Sequence, residues 1–370
     1  MVARSMEFAA PRVSTRRWHV SPLVDSVAYH WGWLLALVPM SMLGDSREDY
    51  LVLWVLVLAL NFAHRHLTLP IVYCDREVFA RHPVRFTVFP IAMFGLFLAQ
   101  PVLRSSGSFE VVLITAATIS GAWGIWHTLQ QKYGILRLYA VKSEVPDSRR
   151  PPPWVDRLLV HGWLPLWVIF LGTAYRDTVD AGFARARLFL EPVMDALPSL
   201  TPWLLPAAAA LAAMSVALFL RYEWRGNRFG NPARLFMGLG TASLSLCFLI
   251  FDPVKVFLAY TFSHAIEYFV FVWAYQRKRY AVPSDRPSLM KRMLTHPAPY
   301  YGGFLVVFGG VYVIMKYWGV RIAPGGERLD FAGISGAHWI YYWGIAQSMI
   351  HFYYDGFLWK MRSAETRANV

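Results

Sequence analysis

Six side chains that commonly bind metals interrupt long apolar stretches of this chain. In "HFYYDGFLWK", His351 and Asp355 are four residues apart, which places both on one face of a helix. In "TFSHAIEYF", His264 and Glu267 are three residues apart and again share a helical face. The candidate ligands are His64, His127, His264, Glu267, His351 and Asp355. We predict that these residues form one metal site.

Four amide side chains accompany the histidines at helical spacing. Asn61 precedes His64, Gln347 precedes His351, and Gln130 and Gln131 follow His127. Ligating imidazoles usually donate their second ring nitrogen to a nearby acceptor, which fixes their orientation. We therefore expect Asn61, Gln130, Gln131 and Gln347 to support the ligands through hydrogen bonds rather than to bind metal themselves.

The ligand types restrict the metal. Imidazole and carboxylate without thiolate suit iron, manganese, zinc or copper. The only two cysteines, Cys74 and Cys247, exclude a thiolate site and a disulfide framework. Buried carboxylates must be neutralised, and lysine and arginine are nearly absent from the surrounding apolar segments. Six ligands exceed one tetrahedral zinc site, so we expect either two metal ions or one ion with carboxylates that orient its imidazoles. Iron is the expected metal, with manganese or zinc as alternatives.

The composition indicates an integral membrane protein. Of 370 residues, 56% are hydrophobic and 16% are charged, whereas a soluble domain has roughly 25% charged residues. We predict an all-α fold, a polytopic bundle of about ten transmembrane helices. The predicted spans lie near residues 28–44, 49–70, 85–103, 109–131, 155–175, 203–221, 232–251, 254–276, 299–318 and 335–359.

Basic residues fall in alternate connections between these segments. Lys132 and Arg137 belong to the fourth-to-fifth connection, and "QRKRYAVPSDRPSLMKR" forms the eighth-to-ninth. The positive-inside rule then places both termini and every basic loop in the cytoplasm, and we expect the bacterial inner membrane. The topology accounts for the net charge of +13, so we do not expect a nucleic-acid partner. All four histidines then lie roughly 9 to 18 Å from the inner helix ends.

The predicted organisation is a single membrane domain with short extensions. Residues 1–25 are predicted to form a basic cytoplasmic arm, and 26–362 one transmembrane helical domain. Residues 363–370 are predicted to be a flexible tail. The segment near 177–202 is predicted to form an amphipathic helix on the outer surface.

Isolated histidines on several spans resemble those of integral-membrane iron oxygenases. The general pattern resembles that of the Brp/Blh-type carotene-cleavage dioxygenases, in which single histidines from separate transmembrane helices surround iron. The membrane di-iron desaturases and hydroxylases are a second group, although this chain has only "HRH" at 64–66 and lacks their HxxHH box. The resemblance implies an iron-dependent oxygenase.

We therefore expect a membrane metalloenzyme, an oxygenase, desaturase or hydroxylase that acts on a lipid-soluble substrate. Its expected partners are membrane lipid, an apolar small molecule, a redox partner and other membrane subunits. Three alternatives remain open from the sequence. They are a haem-binding electron carrier with axial histidine pairs, an ion-coupled transporter with intramembrane titratable groups, and a structural subunit of a larger membrane complex.

Overall fold

The computed structural model describes most of the chain. The described residues are 17–44, 46, 48–99, 102, 105, 109–143, 145–176, 187–281, 288–314, 330–331 and 334–359. Residues 1–16 of the predicted arm and the predicted tail at 363–370 lie outside them.

Helices make up nearly all of the described structure, as predicted. They are α1 (Pro22–Asp25), α2 (Leu34–Met42), α3 (Leu51–His66), α4 (Thr68–Tyr73), α5 (Arg76–Arg81), α6 (Pro83–Leu98), α7 (Phe109–Lys142), α8 (Pro153–His161), α9 (Leu164–Thr173), α10 (Arg187–Asn227), α11 (Pro232–Cys247), α12 (Pro253–Arg279), α13 (Leu289–Met293), α14 (Pro297–Phe304) and α15 (Gly336–Leu358). Single π-helical turns occupy Ser26–His30 and Leu305–Gly309, and a 3-10 turn occupies Asp147–Arg149. Two strands, β1 (Asp330–Phe331) and β2 (Ile334–Ser335), pair antiparallel with Asp330 opposite Ser335.

Among the described residues, five helices are long and apolar enough to cross a membrane. They are Leu51–Tyr73, Pro153–Thr173, Glu191–Asn227, Pro253–Arg279 and Pro297–Ile314. Large aliphatic side chains also point outward, including Val52, Ile91 and Val306, each more than 60% exposed. Such surfaces are unusual on soluble monomers. The molecule therefore has the surface of a membrane protein.

Two helices extend beyond the predicted spans. Helix α7 continues to Lys142, well past the predicted end at residue 131. Helix α10 is continuous from Arg187 to Asn227, although four prolines lie inside it. The segment that we predicted as a separate amphipathic helix is, in its described part, the beginning of this long helix.

Proline separates α3 from α4 beside the candidate ligands. Pro70 has no N–H to donate to the His66 carbonyl, so the regular pattern of α3 ends there. The Leu67 N–H instead donates to the His64 carbonyl at 3.1 Å. Thr68 then begins α4 with its side chain fully buried. The buried Thr68 side chain therefore lies one helical turn after His64, at the junction of α3 and α4.

Asp75 joins the C-terminal end of α12 to α5. Asp75 caps α5 through the Glu77 and Val78 N–H groups. It also accepts hydrogen bonds from the side chains of Tyr280 and Arg279. Burial acts to raise the pKa of Asp75, but the Tyr280 hydrogen bond and the Arg279 guanidinium outweigh it and hold the pKa below its usual value.

The described end of the predicted arm packs into the protein. Asp25 is fully buried and accepts hydrogen bonds from the backbone N–H groups of residues 19–21 and from the Tyr139 hydroxyl. His19 is also buried, and this burial, with Lys142 and Lys278 nearby, lowers its pKa to about 3. Residues 17–25 therefore pack against the helical body.

Two hydrophobic cores meet near the middle of α12. Tyr260 belongs to a core built with α2, α7, α8, α9, α10 and α11. Tyr268, two turns later, belongs to a second core built with α4, α6 and α15. His264 lies midway between them on the same helix. The candidate site therefore occupies the boundary between the two cores.

Candidate metal centre

Four helices bring four of the predicted ligands into a closed cycle, which we call the four-histidine cluster. It consists of His64 on α3, His264 on α12, His127 on α7 and His351 on α15. The imidazole centroids are 4.8 Å apart for His64–His264, 5.2 Å for His264–His127, 4.9 Å for His127–His351 and 5.0 Å for His351–His64. Each helix also packs against its two neighbours in this cycle. The sequence did not indicate which spans are neighbours, and the structure shows that these four helices meet at one point.

The four-histidine cluster contains buried ring nitrogens with no hydrogen-bond partner among the described residues. They are both nitrogens of His64, Nε2 of His127, Nδ1 of His264 and Nε2 of His351. The backbone carbonyl of Asn61 lies close to the His64 ring without forming a hydrogen bond of ordinary geometry. Buried polar groups are nearly always paired. Four unpaired imidazoles at one place are best explained by a ligand that accepts their lone pairs.

The spacing of neighbouring rings is that expected for imidazoles that share an ion. With an ion about 2.1 Å from each nitrogen, adjacent ring centroids would be about 4.5 Å apart at a right angle and about 5.2 Å at the tetrahedral angle. The observed range of 4.8–5.2 Å lies between these limits. Two overlapping groups have their ligand atoms within 4.8 Å of one another: His64, His264 and His351, and His127, His351 and Asp355. Either group could hold a metal ion.

Asp355 is the carboxylate that borders the four-histidine cluster. Its Oδ2 lies 3.7 Å from His127 Nε2 and 3.6 Å from His351 Nε2. Its Oδ1 accepts a 3.0 Å hydrogen bond from the Tyr268 hydroxyl. Asp355 is therefore near enough to complete a coordination sphere or to accept a hydrogen bond from a bound molecule.

A hydrogen-bond chain fixes the orientation of His351. Thr68 Oγ1 lies 2.9 Å from the Tyr268 hydroxyl and 2.8 Å from His351 Nδ1. Because Tyr268 donates its only proton to Asp355, Thr68 must donate to Tyr268, and His351 Nδ1–H must donate to Thr68. The proton on Nδ1 leaves the Nε2 lone pair of His351 directed at the cluster, as a metal ligand requires.

Glu267 was predicted to bind metal, but in the structure a lysine ammonium group neutralises its carboxylate. Glu267 forms a fully buried ion pair with Lys132 and accepts hydrogen bonds from Ser263 at 2.7 Å and from Gln131 at 3.0 Å. The predicted loop position of Lys132 is wrong, because α7 continues past Lys132 and carries its side chain into the core. Glu267 is absent from both groups of potential ligand atoms. It supports α12 and α7 from beside the cluster.

The predicted amide side chains have different roles. Gln131 donates to the His264 carbonyl at 2.9 Å as well as to Glu267, so it braces the ligand helix α12. Gln347 donates weakly to the Arg65 carbonyl at 3.4 Å. Gln130 instead pairs with His161 at 3.2 Å, on the α8 side of α7. Asn61 lies close to His64 through its backbone carbonyl.

Other histidines lie outside the cluster. His66 has a partner at each ring nitrogen, the Phe62 carbonyl and the Trp343 indole N–H. His161 is likewise paired, with Gln130 and the Arg157 carbonyl. His30 is fully buried with both nitrogens unpaired, but it packs against Trp18 and Tyr139 rather than against the cluster. One histidine with unpaired nitrogens, such as His30, does not by itself indicate a metal site. The four-histidine cluster is distinguished because several such histidines lie in contact with each other.

Sequence reasoning missed Thr68 and Tyr268, although a simple signal identifies them. Each cluster histidine is followed four residues later by a polar side chain. The pairs are His64 with Thr68, His127 with Gln131, His264 with Tyr268, and His351 with Asp355. A spacing of four places both members on one helical face. Comparison of the four segments with each other would have revealed this repeated pattern.

The chain has no detectable similarity to a protein-family model, to a curated protein or to a solved structure. The residue types and geometry of the site are therefore the basis for a functional proposal.

Proposed function

We propose that this protein is a multi-pass membrane metalloenzyme that holds one iron ion on His64, His127, His264 and His351, with Asp355 beside it. The observation that carries this proposal is the closed cycle of four imidazoles, each with a buried and unpaired ring nitrogen. The donor set without thiolate suits iron, manganese, zinc or copper. Iron is proposed because four neutral imidazoles leave further positions of an octahedral ion open for reactants. The membrane concerned would be a bacterial inner membrane.

The proposed reaction is an oxidation of a lipid-soluble substrate, as by an oxygenase, desaturase or hydroxylase. Iron would supply the activation of dioxygen, and both dioxygen and apolar molecules partition into bilayers. The protein residues around the site would hold the ligands in place and keep water away from them. Phe352 packs against His127 with centroids 4.7 Å apart, and Tyr268 packs against His64 and His351. This apolar shell limits the access of water to the site.

Proton placement supports the same proposal. The chain from His351 through Thr68 and Tyr268 ends on Asp355, which lies beside the cluster. Protonation of Asp355 would reverse its role from acceptor to donor at the place where a substrate or dioxygen would lie. Asp355 is thus the group best placed to exchange a proton during turnover.

Haem is a poorer fit to this geometry. Axial histidines of a haem lie on opposite faces of a flat macrocycle. Here the four imidazoles contact each other directly at 4.8–5.2 Å around the whole cycle. None of these four neighbouring pairs leaves a slot for a porphyrin, so we propose a redox-active ion coordinated by the protein alone.

Element analysis and absorption spectra of the full-length protein test the proposal. We expect about one iron per chain and no Soret band. His64→Ala, His127→Ala, His264→Ala, His351→Ala and Asp355→Asn should each lower iron content, typically with 10- to 100-fold weaker binding for the carboxylate change. His161→Ala and His66→Ala are matched controls, because their ring nitrogens already have protein partners. A Soret band, or full iron content in all four histidine variants, would contradict the proposal.

A further inference from the structure

A second polar group lies next to the four-histidine cluster, between α3 and α15. We call Arg65, Gln347 and Ser348 the Arg65 cluster. Arg65 Nη1 donates to Ser348 Oγ, and Gln347 Nε2 donates to the Arg65 carbonyl at 3.4 Å. Gln347 lies one helical turn before His351, whereas Asp355 lies one turn after it. The Arg65 cluster is therefore on the opposite side of His351 from Asp355.

Two buried atoms of the Arg65 cluster have no partner among the described residues. They are Nε of Arg65 and Oε1 of Gln347. The Gln347 side chain has no exposed surface. Its Nε2 donates to the Arg65 carbonyl, which leaves Oε1 as a buried acceptor, and rotation of the amide by 180° would present a donor there instead. The unpaired guanidinium N–H of Arg65 and the unpaired amide oxygen of Gln347, on helices that meet at this point, provide hydrogen-bonding groups for a polar ligand.

The charges around the site favour an anion. In the part of the chain that the structure describes, no carboxylate pairs with Arg65, whereas Lys132 is neutralised by Glu267. Among the described residues, Asp355 is the carboxylate in the potential ligand groups of the four-histidine cluster, and the charge of Glu267 is already used by Lys132. A divalent ion would add two positive charges to that of Arg65, which one aspartate cannot balance. Charges buried at membrane depth are normally paired.

Aromatic side chains occupy the turns of α3 that flank Arg65 and the segment at 305–314 that packs against α3. The Phe62 and Tyr312 rings are 5.5 Å apart, and His66 stacks on Phe308 at 4.1 Å. Gly344 lies one turn before Ser348, and a methyl group placed on it would meet no described atom within 4 Å. The surroundings thus combine one fixed positive charge with apolar surface and some open space.

We infer that Arg65, with Gln347, binds the carboxylate of a long-chain carboxylic acid whose hydrocarbon chain lies among these aromatic rings. This inference rests on the proposed function, since it names the substrate class of that site. A planar guanidinium donates well to a carboxylate and stays charged in an apolar environment. The carboxylate would hold the chain with its carbons close to the four-histidine cluster.

Binding of labelled oleate, with methyl oleate as competitor, tests the inference on the purified full-length protein. Methyl oleate has the same hydrocarbon chain without the charge. We expect oleate to bind wild type about 10- to 100-fold more tightly than the ester, as a charged hydrogen bond allows. Arg65→Gln should abolish that preference, and Gln347→Leu should reduce it. Arg221→Gln, which changes an exposed arginine on α10, should keep it.

Iron content measured on the same preparations separates this inference from the proposed function. Wild type with iron but equal affinity for oleate and the ester would overturn the inference alone. A preference for oleate that survives in Arg65→Gln would also overturn it, because the carboxylate would then bind elsewhere, for example on the metal. Absence of iron together with an Arg65-dependent preference would overturn the metalloenzyme and leave a carboxylate-binding site. If Arg65→Gln does not fold, the wild-type comparison and Gln347→Leu still decide the question.

Discussion

At the level of single residues, the two buried carboxylates near the histidines have different counter-charges. Glu267 pairs with Lys132, and three donors saturate it. Asp355 has one hydroxyl donor, Tyr268, and two imidazole nitrogens at 3.6–3.7 Å. The first carboxylate is satisfied by the protein, and the second faces the proposed ion. This difference should separate their mutant phenotypes.

Glu267→Gln should destabilise the protein because it leaves the Lys132 ammonium buried without a counter-charge. Breaking one partner of a buried pair typically costs about 3–5 kcal/mol. The double variant Glu267→Gln, Lys132→Met removes both charges and should recover most of that stability with iron content retained. Thermal unfolding in detergent, with iron analysis of the folded fraction, measures both effects.

Asp355→Asn provides the contrast for that experiment. It should keep most of the stability and lose iron, since an asparagine is close in shape and cannot supply the negative charge. If the double variant at positions 132 and 267 loses iron while folding normally, Glu267 is a metal ligand after all, and the single-ion site with Asp355 as its carboxylate is wrong.

At the level of elements, α11 packs very closely against its neighbours in the hydrophobic core that contains Tyr260. This core supports helices that carry the four-histidine cluster. Gly240 on α11 packs against the π-helical turn at Ser26–His30, and a Cβ there would lie 2.1 Å from the His30 carbonyl oxygen. Backbone atoms cannot move aside as a flexible side chain can. Helix α11 therefore needs glycine at this crossing.

Gly240→Ala should reduce stability by about 1–3 kcal/mol, the usual cost of overpacking. Gly121→Ala is the matched control, because Gly121 is also helical and its Cβ would meet nothing within 4 Å. The control should be neutral or slightly stabilising, since alanine has the higher helix propensity. Thermal unfolding of the two variants in the same detergent makes the comparison. Equal stability of both would mean that the α11 crossing is not tightly packed.

At the level of the whole molecule, the orientation in the membrane is a prediction from the distribution of basic residues. Five described helices are long and apolar enough to span, and helices also occupy the other predicted segments. Some of those are short, such as α2 with nine residues. The proposed arrangement of ten spans with both termini in the cytoplasm places the four-histidine cluster nearer the cytoplasmic side.

Single-cysteine labelling in intact cells tests that arrangement. Cys74 and Cys247 would first be replaced by serine. Ser148→Cys, in the connection after α7, should be protected from an impermeant maleimide, whereas Ser46→Cys, between α2 and α3, should react. Both serines are exposed in the structure. Labelling of position 148 from outside would reverse the proposed orientation.

Local patterns were sufficient to predict the helices and the four histidines. Apolar runs and helical spacing depend only on neighbours in the chain, so they indicated the helical fold and placed His64, His127, His264 and His351 at one depth. That these residues bind metal stays a prediction. The ends of long helices were less predictable, because charged residues such as Lys132 fit a loop as well as a buried helix with a partner.

The tertiary structure alone decided which polar side chains meet. The pairing of Lys132 with Glu267, the chain from His351 through Thr68 to Tyr268, and the unpaired nitrogen of Arg65 all depend on contacts between helices. The rotation of each helix about its axis and its choice of neighbours set those contacts. Periodicity within one segment fixes which residues share a face, but it does not specify what that face will contact. The sequence thus determined the candidates, and the packing of α3, α7, α12 and α15 determined which of them surround a common centre.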